Sequence, residues 1–152
     1  AEEIADTVKA AARHIRRFGM KPKIALCSSS LFGDLDTDNA RKMREAIAIL
    51  DKCDCDFAYE GEMRVDVALD ESLRKRHLPD TKFVGRANCL IFASAETANA
   101  VKNTLISLAG ATDVGPILMG MGNRAHIVTS SITPRGLLNM TALAGTPVKQ
   151  YA

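Results

Sequence analysis

A chain of 152 residues, 47% hydrophobic and 25% charged, has the composition of one globular domain able to bury its own core. A formal net charge of +2, no Trp and two Tyr argue against a basic stripe or a stacking platform for nucleic acid, and no apolar run reaches membrane-spanning length. Four cysteines without a framework, and no signal peptide ahead of the first helix, set the expectation of a reduced, cytoplasmic protein.

The chain starts without Met inside an amphipathic pattern, so a piece of a longer protein is expected. Ile4, Val8, Ala11, Ile15 and Phe18 recur at three- and four-residue steps and predict a first helix ending at Gly19. "KIALCSSS" after Pro22 reads as a buried strand running into a serine-rich turn. Asp36 or Thr37 then caps a helix whose apolar face is Ala40, Met43, Ile47 and Leu50. "FAYEGEM" is a second strand, and "VDVALDESLRKRH" reads as helical after it, with Arg74-Lys75-Arg76-His77 as its solvated basic end. "CLIFA" is a third strand, followed by a helix with Ala98, Val101, Leu105 and Leu108 on one face, closing at Gly110. "GPILMG" and "AHIVT" are two further apolar segments read as strands, with "GMGNR" as a turn between them. The last helix has Thr133 as N-cap, Pro134 at N1 and Gly145 just past its end. Strands alternate with helices, which predicts an α/β fold: a three-layer α/β/α sandwich around a mostly parallel sheet. Ligands in such sheets collect outside the carboxyl ends of the strands, which singles out Ser28–Gly33, Ser94–Asn99 and Thr129–Thr133.

Thr129, Ser130 and Ser131 stand between an apolar run and a helix start, where hydroxyls and unpaired amides can cradle a phosphate or a carbonyl oxygen. The same hydroxyls could instead satisfy the backbone of their own loop. No Asp or Glu lies between Ala125 and Met140, and Arg135 is the one cation in the first helical turn, so neither a base nor an oxyanion partner for acyl transfer is evident. Glu60, Glu62 and Asp66 cluster in "YEGEMRVDVAL". Asp66 suits a helix start and Glu62 an ion pair with a neighbouring Arg, so structural roles are expected. Cys27 and Cys89 read as small core residues. Cys53 and Cys55 lack a second thiol pair at zinc spacing, and His14, His77 and His126 are scattered, so no metal site is expected.

In order and spacing, "ARKMREAIAIL", "EGEMRVDVALDESLRKR", "ANCLIF", "GPILMGMG" and "LLNMTALA" resemble the phosphate acetyl/butyryltransferase family. "RRFGMKPKIALCS" and "HIVTSSITPRGLLNMTALA" are closer to the phosphotransacetylase-like C-terminal domain of bacterial NADP-dependent malic enzymes. The resemblance covers nearly the whole chain. It implies an isocitrate/isopropylmalate dehydrogenase-like fold in which residues 1–152 form the second lobe of a two-lobed unit. Residues 133–145 would be a helix returning toward the first lobe, and dimers would form through this region.

Catalytic members of the family carry a Ser-Arg pair and, a little later, an Asp. Aligned on Asn139, Thr129 and Ser130 stand at the pair and Gly136 at the Asp, so the resemblance implies no catalytic residue here. It implies instead a regulatory and oligomerisation domain that senses acetyl-CoA through Asn99, Lys102, Gly115, Pro116, Ile117, Thr129, Ser130, Ser131 and Thr133. The parent would be a malate dehydrogenase (oxaloacetate-decarboxylating, NADP), turning malate to pyruvate with NADP and a divalent metal held outside this stretch. Leu31 and Ser94-Ala95-Glu96 replace the Asn and Asn-Leu-Asp usual in the malic enzymes. Two other readings stand beside this one. The first is a working phosphate acetyltransferase using groups such as Arg135 and Glu62, and the second is a purely structural dimerisation module.

Overall fold

The computed structural model describes residues 1–119 and 125–146, which fall into two compact units, Ala1–Ala98 and the part from Asn99 onward. The first unit opens with helix α1 (Glu2–Arg17), strand β1 (Lys23–Cys27), helix α2 (Asp38–Leu50) and strand β2 (Ala58–Met63). Short helices α3 (Val65–Leu69) and α4 (Glu71–His77), strand β3 (Cys89–Phe92) and the start of α5 (Ala95–Ala109) follow. All strand pairs are parallel, in the order β2-β1-β3.

β1 is central, which explains its unbroken apolar run: a parallel strand covered on both faces has no polar side to show. Its alternating side chains divide the core. Ile24 and Leu26 pack with Val8, Ala12 and Ile15 of α1 and with Met43, Ala46 and Leu50 of α2. Ala25 and Cys27 face the other way, onto Val67 and Ala68 of α3 and onto Phe83 and Ala87. Helices therefore cover both faces of the sheet, as the α/β/α expectation required. α1 carries Glu2 and Glu3 in its first turn and His14, Arg16 and Arg17 in its last, matching the helix dipole, and Gly19 follows its end at φ +75°. α2 is capped by Thr37, whose Oγ1 accepts from the Ala40 N–H at 3.2 Å.

Two expectations are corrected in this unit. "VDVALDESLRKRH" is two helices, because Asp70 takes an extended conformation (φ −124°, ψ 109°) and caps α4, its Oδ1 accepting from the Leu73 N–H at 3.0 Å. An Asp in this setting competes with the helix for its own backbone donors. The basic end of α4 is solvated at Lys75, Arg76 and His77, but Arg74 is fully buried. Its Nη1 donates to the carbonyls of Val67 (3.0 Å) and Ala68 (3.4 Å), and its Nη2 to those of Phe83 (2.8 Å) and Gly85 (2.6 Å). The guanidinium also sits 4.8 Å over the Phe83 ring, with Glu60 Oε2 at 3.8 Å from Nε. One side chain thus pins the irregular 78–88 stretch to α3.

In the second unit, α5 continues to Ala109 with Gly110 at φ +62° after it, and α6 spans Pro134–Gly145. Thr133 Oγ1 caps α6 by accepting from the Gly136 N–H at 3.0 Å, and Gly145 is the last helical residue rather than the first beyond it. The segments 115–119 and 125–129, expected as strands, form none. A strand needs a partner for its backbone groups, and neither segment has a ladder among the described residues. The end of "GPILMG" and the expected "GMGNR" turn lie outside the described residues. Among those residues, no helix is long and apolar enough to cross a membrane.

Candidate functional site

In a sheet ordered β2-β1-β3, the chain goes first to one side of β1 and then to the other, which makes the carboxyl ends of β1 and β3 a topological switch point. Ser28–Gly33 follows β1 there, and Ser94 follows β3, where its Oγ accepts from the Thr97 N–H at 3.2 Å and starts α5. The β1–β2 pairing slips at this end: Leu26 faces Gly61, but Cys27 faces Met63. Glu62 is the extra residue of a bulge, the device by which sheets re-aim a side chain. Gly61 makes the close approach feasible, since a Cβ there would lie 2.6 Å from the Leu26 carbonyl oxygen.

The bulge aims Glu62 into the loop after β1. Its Oε1 accepts from Ser30 Oγ (2.6 Å), the Gly33 N–H (2.9 Å) and Arg44 Nη1 (3.1 Å). Ser30 Oγ also lies 3.0 Å from Asp34 Oδ1 and accepts from the Leu35 N–H at 3.2 Å. The Leu31 N–H, donating to Asp34 Oδ1 at 2.6 Å, is the main reason that carboxyl is held below the usual range. Arg44 reaches Asp36 as well, at 2.9 Å. Glu62 and Ser30 are both buried, so this carboxylate supports the loop and is closed to substrate. The expected Arg partner of Glu62 is Arg44, and Asp66 sits in the first turn of α3, 3.3 Å from Arg64.

Cys27 and Cys89 are core thiols, pushed up to about 12 and about 11 by burial, which makes them poor nucleophiles. Among the described residues, no three His, Cys, Asp or Glu side chains gather as metal ligands would.

The nine residues expected to hold acyl-CoA all fall in the second unit. Asn99 and Lys102 are exposed on α5, and Lys102 Nζ lies 3.6 Å from Asp113 Oδ2. Gly115 and Ile117 are half-buried, with Pro116 exposed between them. Thr129, Ser130, Ser131 and Thr133 are exposed; Thr129 Oγ1 and Ser131 Oγ stand 3.0 Å apart, and the Ile132 N–H donates to the Thr129 carbonyl at 3.1 Å. No described hydrogen bond or ion pair joins Asn99 or Lys102 to the Thr129–Thr133 loop. The helix start offers less than a generic one. Pro134 has no N–H and the Gly136 N–H is taken by Thr133, so in this first turn the Arg135 amide is the donor with no described acceptor. What remains is a hydroxyl-lined surface with no carboxylate, next to the exposed Arg135, able to donate to a carbonyl or phosphoryl oxygen.

Sequence reasoning did not foresee the Ser30–Glu62 hydrogen bond or the buried Arg74. The one local signal for the first was the Gly61-Glu62 step inside an otherwise regular strand.

The family model described as Phosphate acetyl/butaryl transferase matches residues 1–145. The NAD-dependent malic enzyme of Rhizobium meliloti (strain 1021) is 44% identical over 144 residues, which are 95% of this chain and 19% of that enzyme. The NADP-dependent malic enzyme of Haemophilus influenzae (strain ATCC 51907 / DSM 11121 / KW20 / Rd) is 39% identical over 150 residues, 99% of this chain and 20% of that enzyme. Among solved structures, the EutD phosphotransacetylase from Staphylococcus aureus matches with a TM-score of 0.85 and 25% identity, covering 93% of this chain and 44% of its own. The chain thus spans about a fifth of the malic enzymes' length and under half of the phosphotransacetylase's.

Proposed function

The chain belongs to the phosphate acetyl/butaryl transferase family, and from that premise we propose that it is the non-catalytic, acetyl-CoA-sensing and oligomerising part of a malic enzyme. The parent protein would oxidise and decarboxylate malate to pyruvate in the cytoplasm, with a divalent metal and a nicotinamide coenzyme bound outside this chain. The relatives are named for NAD in one case and NADP in the other, and the proposal keeps NADP. Two copies of the domain would pair.

One observation carries the reading: the cradle at Thr129–Thr133 has hydroxyls but no guanidinium at Ser130 and no carboxylate at Gly136. Moving acetyl between CoA and phosphate needs charge to hold the anion and, in the direction that forms acetyl-CoA, a base to take the attacking thiol's proton. Packing reinforces the second loss. A Cβ at Gly136 would stand 3.0 Å from Ile132 Cγ1 and 3.1 Å from Thr133 Oγ1, so a side chain there would press on Ile132 and on the hydroxyl that caps α6. A surface of this kind grips a thioester carbonyl without activating it.

The likeness to a phosphotransacetylase favours a second reading, in which this domain moves acetyl between CoA and phosphate. Of the groups that reading would use, Arg135 is exposed but Glu62 is sealed beneath the β1–α2 loop. Two assays on the full-length protein separate the readings. The sensing reading expects saturable acetyl-CoA binding by calorimetry and a change in malate oxidation of about 5–150-fold, the range of ordinary allosteric coupling. It also expects no acetyl phosphate formed from acetyl-CoA and phosphate. Steady acetyl phosphate production overturns it in favour of the enzyme. Absence of binding at millimolar acetyl-CoA leaves a purely structural dimerisation module.

A further inference from the structure

We infer that His126 is a positioning residue for the acyl-CoA site, setting the spacing between the Gly115–Ile117 wall and the Thr129–Thr133 loop; the inference rests on the acyl-CoA reading above. The first wall lies in the segment 115–119 and the second continues directly from the segment 125–129; neither segment is a strand, so no ladder among the described residues fixes one against the other. A side chain does that work. The Leu118 N–H donates to His126 Nδ1 at 3.3 Å, and this is the described hydrogen bond that joins the two segments.

Its location matters. Leu118 adjoins Ile117, and His126 precedes Thr129 by three residues, a span of at most about 11 Å of extended chain. A shift of the ring therefore moves both walls relative to each other. The chemistry is equally restrictive: Nδ1 accepts the Leu118 N–H only through its in-plane lone pair, so the orientation of the ring sets where the bond can form. Nε2 is buried and has no hydrogen-bond partner among the described residues, so no described bond at that nitrogen duplicates the tether at Nδ1. The pin is this one acceptor.

Asn and Gln discriminate the two ring positions. An Asn at position 126 puts its carbonyl oxygen near where Nδ1 stands, whereas a Gln carbonyl falls nearer Nε2 and a Leu offers no acceptor. In the full-length protein, with acetyl-CoA as the calorimetric probe, His126→Asn is expected to bind within about twofold of wild type. His126→Leu and His126→Gln should bind about five- to tenfold more weakly, the effect of one lost hydrogen bond. Hydrogen exchange without ligand gives the independent measurement, with the Leu118 amide losing protection in His126→Leu and keeping it in His126→Asn. Wild-type affinity in His126→Leu, or equal weakness in the Asn and Leu variants, overturns the inference. If wild type itself binds no acetyl-CoA, the sensing reading fails and the ligand half of this inference with it. The pin is then judged by exchange alone, and an unchanged Leu118 amide in His126→Leu refutes it.

Discussion

Ser28–Ser30 follows β1 and Thr129–Ser131 precedes α6, and in sequence the two loops are alike: three hydroxyl residues in a row at the end of an apolar run. In the fold they part. Ser30 is buried and spends its hydroxyl on Glu62, with Asp34 and the Leu35 amide beside it. Thr129, Ser130 and Ser131 are all exposed, and the contact described within that run is the exposed 3.0 Å approach of Thr129 Oγ1 and Ser131 Oγ. The difference is the partner, not the hydroxyls. A bulge delivers a buried carboxylate to the first loop, and no Asp or Glu stands within Ala125–Met140 to serve the second. A hydroxyl that has an internal charge to bind becomes structure, and one that has none stays open to solvent.

Removing that charge breaks the comparison most directly. Glu62→Ala leaves Ser30, the Gly33 N–H and Arg44 without their shared acceptor. Arg44 is partly exposed and can rehydrate, so the cost should fall below that of a fully buried pair, about 2–3 kcal/mol by urea unfolding. Ser30→Ala takes away one donor and one acceptor from the same network while leaving the Arg44 pair, and should cost about 1–2 kcal/mol. If either variant unfolds like wild type, the loop after β1 is not held by this network.

Whether a feature could be read from the sequence depended on how far along the chain its partners lie. The caps of α2 and α6 are legible because Thr37 and Thr133 reach only three residues ahead, to Ala40 and Gly136. The α/β alternation is legible for the same reason, each element carrying its own period. Glu62 and Ser30 are 32 residues apart and meet only through a register slip, which no local pattern specifies. Arg74 looked like one charge in a basic run, and its buried state follows from the carbonyls of Phe83 and Gly85, which a later stretch of chain brings over it. The segments 115–119 and 125–129 failed as strands because an apolar run says that a segment is to be covered but not by what.

The α6 cap tests the second loop from its helical side. Thr133→Ala should cost about 1 kcal/mol, seen as faster amide exchange in the first turn of α6. It should also free the Gly136 N–H that the cap now occupies. If that amide was already exchanging freely, the helix start is more open to an anion than its geometry indicates. A smaller effect is expected from Asp34, which is exposed. The Leu31 N–H lowers its folded-state pKa, so its stabilisation is present above about pH 4, the unfolded value, and is lost as pH falls through the lower folded one. Asp34→Asn should flatten that acid limb and leave stability near neutrality almost unmoved in its pH slope. No comparable acid limb is expected from the Thr129–Ser131 loop, which has no carboxylate.

The smallest change in stability should come from Ser131→Ala, and it is the sharpest test of what the second loop is for. Ser131 is exposed, and its hydroxyl has one described neighbour, Thr129 Oγ1, in a contact that water replaces at little cost. Unfolding should therefore shift by less than about 0.5 kcal/mol, as for surface positions generally. Acetyl-CoA affinity should nonetheless fall, by about threefold to tenfold, if that hydroxyl donates to the acyl or pantetheine end of the ligand. The opposite pattern, a large loss of stability with unchanged affinity, would make Thr129–Ser131 a second version of Ser28–Ser30, hydroxyls consumed by the protein itself. Measured side by side with Ser30→Ala, the pair asks one question of two loops: which hydroxyls the fold keeps, and which it offers.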